Sequence, residues 1–153
     1  MTQNGSTGTP GNGAADKPKL KMTHTPLHLP PTPAQICMLL GSVAVLMSNS
    51  AVHRHLFIAD LEWLVMPPIR LGQCRLYHDE QKPLAYVSWA FINDAVDARI
   101  KAGVPRLQPQ EWKSGDKPWI METVAPFGGF DEIVKDLTAT VFGGVRPNVV
   151  GEG

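Results

Sequence analysis

The chain has 153 residues, enough for one domain with a single core rather than two. Its 14 Lys and Arg residues balance 14 Asp and Glu residues, so the formal net charge is zero. That balance gives no general field for nucleic acid or an anionic membrane, and a partner must be recognised through a local patch or groove.

Residues 1–31 are rich in Gly, Thr, Asn, Pro and Lys and carry almost no apolar pattern. Such a composition cannot bury enough surface to offset chain entropy, so a disordered tail is expected, stiffened at its end by Pro30-Pro31. Thr32-Pro33-Ala34-Gln35 then has the form of a helix start, with a capping hydroxyl, a proline suited to the first turn and a glutamine that can reach back. Ile36, Leu39, Leu40, Val43, Leu46 and Met47 follow at helical spacing, and Ser48-Asn49-Ser50 should end the helix. This apolar run is roughly a dozen residues long, against the ~20 that a bilayer crossing needs. It also lies far from the N-terminus, so neither stable membrane insertion nor a secretory signal is expected, and a soluble cytoplasmic protein is.

A second short helix is expected from His55 to Val65, stopped by Pro67-Pro68. Two strands follow, Arg70 to His78 and Leu84 to Ile92, joined by the polar turn Asp79 to Pro83. Asn93 can cap a helix over Asp94 to Lys101 that Gly103 closes, and Pro118 to Ala125 forms a third strand. Pro126-Phe127-Gly128-Gly129 breaks that strand, and a last helix runs from Phe130 to Val141 with Asp131 and Glu132 in its first turn. The expected fold is therefore α/β, a mixed sheet flanked by helices over residues 32–146, with 147–153 a disordered end.

Two cysteines, Cys37 and Cys74, are too few for a disulfide framework and read as reduced core residues. Neither cysteines nor histidines show the paired ligand spacings of a zinc site. His53 and His55 are two apart but lack a nearby third ligand, so no metal is expected.

Ser50 and His53 are three apart just past the first helix, a spacing that lets hydroxyl and imidazole share one face. Histidine titrates near neutrality and is the natural general base. On spacing alone, a capping serine beside a surface histidine is the commoner arrangement. Glu122 stands inside the apolar stretch Trp119 to Val124, where a carboxylate is costly to bury unpaired. It either orients an imidazole or is turned to solvent by strand alternation. Trp89, Trp112, Trp119 and Phe127 form either plain core or the wall of a pocket. Gly128-Gly129 before a helix offers backbone N–H groups to an oxyanion, or is an ordinary turn.

Several segments, in order, resemble the toxin-activating lysine acyltransferases, the haemolysin-activating group. They are Leu40-Gly41, Ser48 to Arg54, Pro67 to Arg70, Gln73 to Tyr77, Lys82 to Ala90, Glu111 to Asp116, and Trp119-Ile120 through Ala125-Pro126-Phe127-Gly128. The resemblance covers about residues 36–129. It implies a fold like that of the GNAT acetyltransferases, with a mostly antiparallel sheet, often as a homodimer. It implies no bound cofactor and acyl carrier protein, rather than coenzyme A, as the donor. The implied reaction moves a fatty acyl chain onto internal lysines of an RTX-type protoxin in the cytoplasm, which activates the toxin for haemolysis. The family's essential histidine falls on His53 and its functional serine on Ser50. Its catalytic aspartate falls on Glu122, one methylene longer here. Arg54 is the residue expected to meet the acidic carrier protein, and Trp89, Phe127 and Gly128 are expected at the substrate. The chain ends about two dozen residues after Gly128, where the family continues, with Val145-Arg146 as a remnant of the later segment. The rival expectations are an acyltransferase of the same fold for a different protein acceptor, and a non-catalytic binding module.

Overall fold

Thr32 opens the first helix in the computed structural model, which describes residues 23–152. Its Oγ1 accepts from the Gln35 N–H at 3.2 Å, and Gln35 Oε1 accepts from the Thr32 N–H at 3.0 Å, so two otherwise unpaired donors are satisfied. Helix α1 (Pro33–Ser48) buries Leu39, Val43, Leu46 and Met47, one helical stripe. Cys37, two positions from Leu39 and hence turned about 200° away, is exposed rather than part of the core; Cys74 is buried. At the helix end, the Ser48 hydroxyl and the Asn49 amide both donate to the Val45 carbonyl at 2.8 Å.

The segment that follows departs from the single helix expected over 55–65. It consists of two single 3₁₀ turns, His53–His55 and Ile58–Asp60, then α2 (Leu61–Leu64) and α3 (Met66–Leu71). Pro67 and Pro68 start α3 instead of stopping α2, because a missing N–H is harmless in a first turn. Helix α3 thereby takes Arg70 and Leu71 from the expected strand. Gly72, at φ +67°, ends it in the left-handed conformation that glycine adopts without strain.

The sheet has the order β1 (Thr23–His24), β2 (Cys74–His78), β3 (Pro83–Ile92), β4 (Lys117–Val124), β5 (Asn148–Val149). The first three pairings are antiparallel and β4–β5 is parallel, so the sheet is mixed and mostly antiparallel. Two of its strands fall where tail was expected. Residues 1–22 and 153 lie outside the described residues. Within 23–31, Thr23–His24 pairs with Tyr77 and His78, and Leu27 packs on the core. Within 147–152, Asn148 and Val149 pair with Trp119 and Ile120. Both strands are two residues long, too short for a sequence pattern to reveal. Helices α4 (Asp94–Lys101), capped by the Asn93 side chain on the Val96 N–H at 2.9 Å, and α5 (Phe130–Thr140) complete the fold.

Strand β3 is buried on both faces, and alternation sorts its side chains. Ala85, Val87 and Trp89 pack with Ile133, Leu137 and Phe142 on the α5 side. On the other side, Tyr86 joins the α1 stripe, while Ala90 and Ile92 join Val96, Leu107, Trp112 and Met121.

Strand β4 carries the feature that sets the site. Ser88 pairs with Glu122, but Trp89 pairs with Ile120, leaving Met121 as the extra residue of a bulge. Simple alternation would set Glu122 opposite Trp119. The bulge puts Glu122 on the same face as Trp119, Met121 and Val124, toward the end of α1.

Candidate active site

The chain leaves α1 through a turn in which the Ser50 N–H donates to the Met47 carbonyl at 3.1 Å. In turn the Arg54 N–H donates to the Ser50 carbonyl at 3.0 Å. This keeps the backbone near-helical from Ser50 to His53, so the two side chains meet. Ser50 Oγ lies 2.6 Å from His53 Nδ1. His53 Nε2 lies 2.8 Å from Glu122 Oε1, on a residue 69 positions away that the bulge has turned inward. The His53 and Glu122 side chains are 12% and 20% exposed, sheltered yet reachable.

The partners fix the tautomer. An ionised carboxylate can only accept, so Nε2 carries the proton toward Glu122 and Nδ1 presents a lone pair. The Ser50 hydroxyl then donates to Nδ1. The Thr123 N–H also donates to Glu122 Oε1, at 3.1 Å, and steadies the carboxylate. The result is a serine–histidine–carboxylate chain in which the acid orients the imidazole and the imidazole polarises the hydroxyl.

A cavity of about 450 Å³ opens over this chain, lined among others by Ser50, His53, Glu122, Thr123, Phe130 and Val150. Part of its wall, Val149 to Glu152, comes from the segment expected to be a disordered end. The short apolar run Val149-Val150 was the only signal for it.

Of the residues expected at the substrate, none lines this cavity. Arg54 is exposed beside His53. Trp89 is buried on the α5 face, edge-on to Phe142 with ring centroids 6.4 Å apart. Phe127 is half-exposed beneath the Lys82 ammonium, 4.5 Å from its ring. The Gly128 N–H donates to the Ala125 carbonyl at 3.1 Å, so that amide closes a turn and is not free for an oxyanion. Burial pushes the Cys74 thiol up to about 12, which keeps it protonated and unfit as a nucleophile. Among the described residues no cluster of three or more His, Cys, Asp or Glu is placed to hold a metal ion.

Residues 32–149, which include all three members of the serine–histidine–carboxylate chain, match the RTX toxin acyltransferase family. The chain belongs to this family. Among similar members, the lysine-acyltransferase RtxC of Vibrio cholerae is 37% identical over 126 residues, 80% of this chain and 80% of that protein. The leukotoxin-activating lysine-acyltransferase LktC of Mannheimia haemolytica is 39% identical over 99 residues, 65% of this chain. The protein-lysine myristoyltransferase RtxC of Kingella kingae is 35% identical over 89 residues, 58% of this chain. The chain spans 59% of the Mannheimia protein and 53% of the Kingella protein. Among its described residues no helix is long and apolar enough to cross a membrane.

Proposed function

We propose that this RTX toxin acyltransferase family member moves a fatty acyl group from the thioester of an acyl carrier protein to lysine ε-amino groups of an RTX-type protoxin. The reaction would take place in the cytoplasm, with two copies of the chain pairing as the family resemblance implies. The observation that carries the chemistry is the unbroken hydrogen-bonded run Ser50–His53–Glu122 at the wall of an open cavity.

The chemistry follows from what each atom can accept. A lysine ammonium, with an ordinary pKa near 10.4, must release one proton to solvent before it can attack, and the amine must give up a second as the amide bond forms. Both ring nitrogens of His53 are already engaged, so this second proton travels through Ser50. The amine donates to Ser50 Oγ while the Ser50 hydroxyl proton passes to His53 Nδ1. The amine nitrogen bonds to the thioester carbonyl carbon, the carbon–sulfur bond breaks, and the imidazolium returns its proton to the departing thiolate. Glu122, hydrogen-bonded to Nε2, stabilises the imidazolium between these events. His53 therefore acts as general base through the serine, which refines direct or water-mediated proton acceptance.

The test uses purified protein, acyl carrier protein charged with a tetradecanoyl group, and a lysine-containing protoxin fragment. Mass spectrometry should find acyl-lysine that is absent with the His53→Ala protein. Acylation at the normal rate by that variant would overturn the assignment.

A further inference from the structure

Three neighbouring cavities share walls. The site cavity and a slot of about 110 Å³ have Met121, Glu122 and Val150 in common. The slot and an outer cavity of about 750 Å³ have Trp63 and Leu107 in common. The slot's remaining lining is Leu64, Pro105 and Trp112, so apart from Glu122 at its inner end every side chain along it is aliphatic or aromatic.

The gap has a structural origin. On this face the sheet supports two separate apolar clusters, one around the α1 stripe with Leu64, and one around Leu107, Trp112 and Met121. The slot is the seam between them. The bulge at Met121 places one residue on the seam and its neighbour Glu122 on His53. The outer cavity is different in character, with Asp60, Glu62, Arg70 and Arg106 at its rim and the Arg106 guanidinium stacked 4.7 Å from the Trp63 ring.

We propose that this seam is the acyl-chain channel of the enzyme and that Leu107 sets the chain length it accepts. The inference rests on the acyl-transfer function above and assigns it a chain-binding route. A thioester carbonyl held at Ser50 and His53 leaves its hydrocarbon either in water or in the seam. The seam adjoins the site along Met121, Glu122 and Val150 and is apolar in lining, and each methylene it withdraws from water favours binding roughly fourfold. The chain passes Met121, runs between Leu107 and Trp112, and ends at Trp63, where the wall turns polar.

The experiment compares butyryl, octanoyl and tetradecanoyl thioesters of acyl carrier protein as donors. In the wild-type chain kcat/KM should rise with length. Leu107→Phe should lower tetradecanoyl transfer at least tenfold and leave butyryl transfer within twofold, whereas Leu107→Ala should keep or raise the long-chain preference. A uniform fall across donors, or an unchanged length profile in both variants, would overturn the channel while leaving acyl transfer standing. A second measurement needs no turnover. A bromine-substituted fatty acid should quench tryptophan fluorescence in the wild type and in Trp89→Phe, whose ring lies across the sheet. That quench should fall in Trp63→Phe and Trp112→Phe. Quenching undiminished in both overturns the channel. If no donor is used by the wild type, the acyl-transfer function fails and the quench alone decides the channel.

Discussion

Glu122 and Asp97 are both carboxylates held against the sheet, and their surroundings differ in completeness. Asp97, on α4, accepts from Lys101 at 2.9 Å and Lys117 at 3.2 Å through Oδ2, and from the Trp119 indole at 2.9 Å through Oδ1. The Lys101 hydrogen bond, with those of Trp119 and Lys117, holds its carboxyl down at about 2 against the enclosing effect of burial. Glu122 accepts from His53 and from one backbone N–H, both on Oε1, and its other oxygen has no donor among the described residues. A saturated carboxylate fixes α4 to β4 and has little left to exchange. A half-satisfied one beside an imidazole at a cavity wall can respond when charge develops. Under the proposed function the difference separates a structural carboxylate from a chemical one, and it can be tested from both ends.

The largest effect belongs to the imidazole on which Glu122 acts. His53→Ala removes the proposed proton acceptor, and loss of general-base catalysis predicts a fall in kcat of about a thousandfold. Thermal unfolding should move little, because the side chain lies at the edge of the core. A large fall in stability with near-normal turnover would reverse the assignment of roles.

Asp97→Ala should give the opposite pattern. It strands a buried indole N–H and removes two charge-assisted bonds, which predicts roughly 2–3 kcal/mol of lost stability by denaturant unfolding. Turnover at permissive temperature should stay within a few fold. The same carboxylate predicts a pH signature. Asp97 and Glu111 are both held at about 2, below ordinary values of 3.8 and 4.5, Glu111 chiefly by its two bonds to Arg99 at 2.7 and 2.6 Å. A depressed folded pKa contributes stability that is complete above the unfolded value and lost as pH falls toward the folded one. Stability should therefore drop between about pH 4.5 and pH 2, with a shallower slope in Asp97→Ala; an equal slope in that variant would count against the Asp97 network.

Much of this arrangement was legible in the residues and part was not. The α1 cap, the Asn93 cap, the β2–β3 hairpin and the course of α5 followed from local rules, because each is decided within a few residues. The Ser50–His53 contact is also local, spanning three residues. What escaped depends on long-range register. A bulge at Met121 is invisible to a two-residue period, so alternation alone left the direction of Glu122 open. The two-residue strands β1 and β5 exist only because β2 and β4 offer them an edge. Pro67-Pro68 has the local chemistry of a helix stop, and the same chemistry opens a helix here. Trp89, expected at the substrate, faces α5 because alternation along β3 puts odd-numbered side chains there, a register that only the assembled sheet fixes.

The next effect tests the charge of Glu122 and not its presence. Glu122→Gln keeps a carbonyl acceptor for Nε2 but cannot stabilise an imidazolium as an anion does. A fall in kcat of about a hundredfold is expected, with little change in KM for the donor. A change confined to KM would instead place Glu122 among binding groups. It would also weaken the contrast with Asp97.

The smallest effect concerns one methylene. The family resemblance implies an aspartate at this position, where the chain has Glu122. In this sheet the glutamate spans the distance from the bulged strand to His53 Nε2 with a 2.8 Å contact. Glu122→Asp withdraws the carboxylate by about one carbon–carbon bond, leaving a gap that a water must bridge or α1 must close by shifting. A water bridge preserves orientation of the imidazole but weakens its charge stabilisation, so kcat should fall about tenfold, less than for Glu122→Gln. If Asp at this position is as active as Glu, the end of α1 is free to approach the sheet, and the 2.8 Å contact is not what limits the reaction. If it is as damaged as Gln, charge without reach has no value here, and the bulge at Met121 is the element that tuned the site to the longer acid.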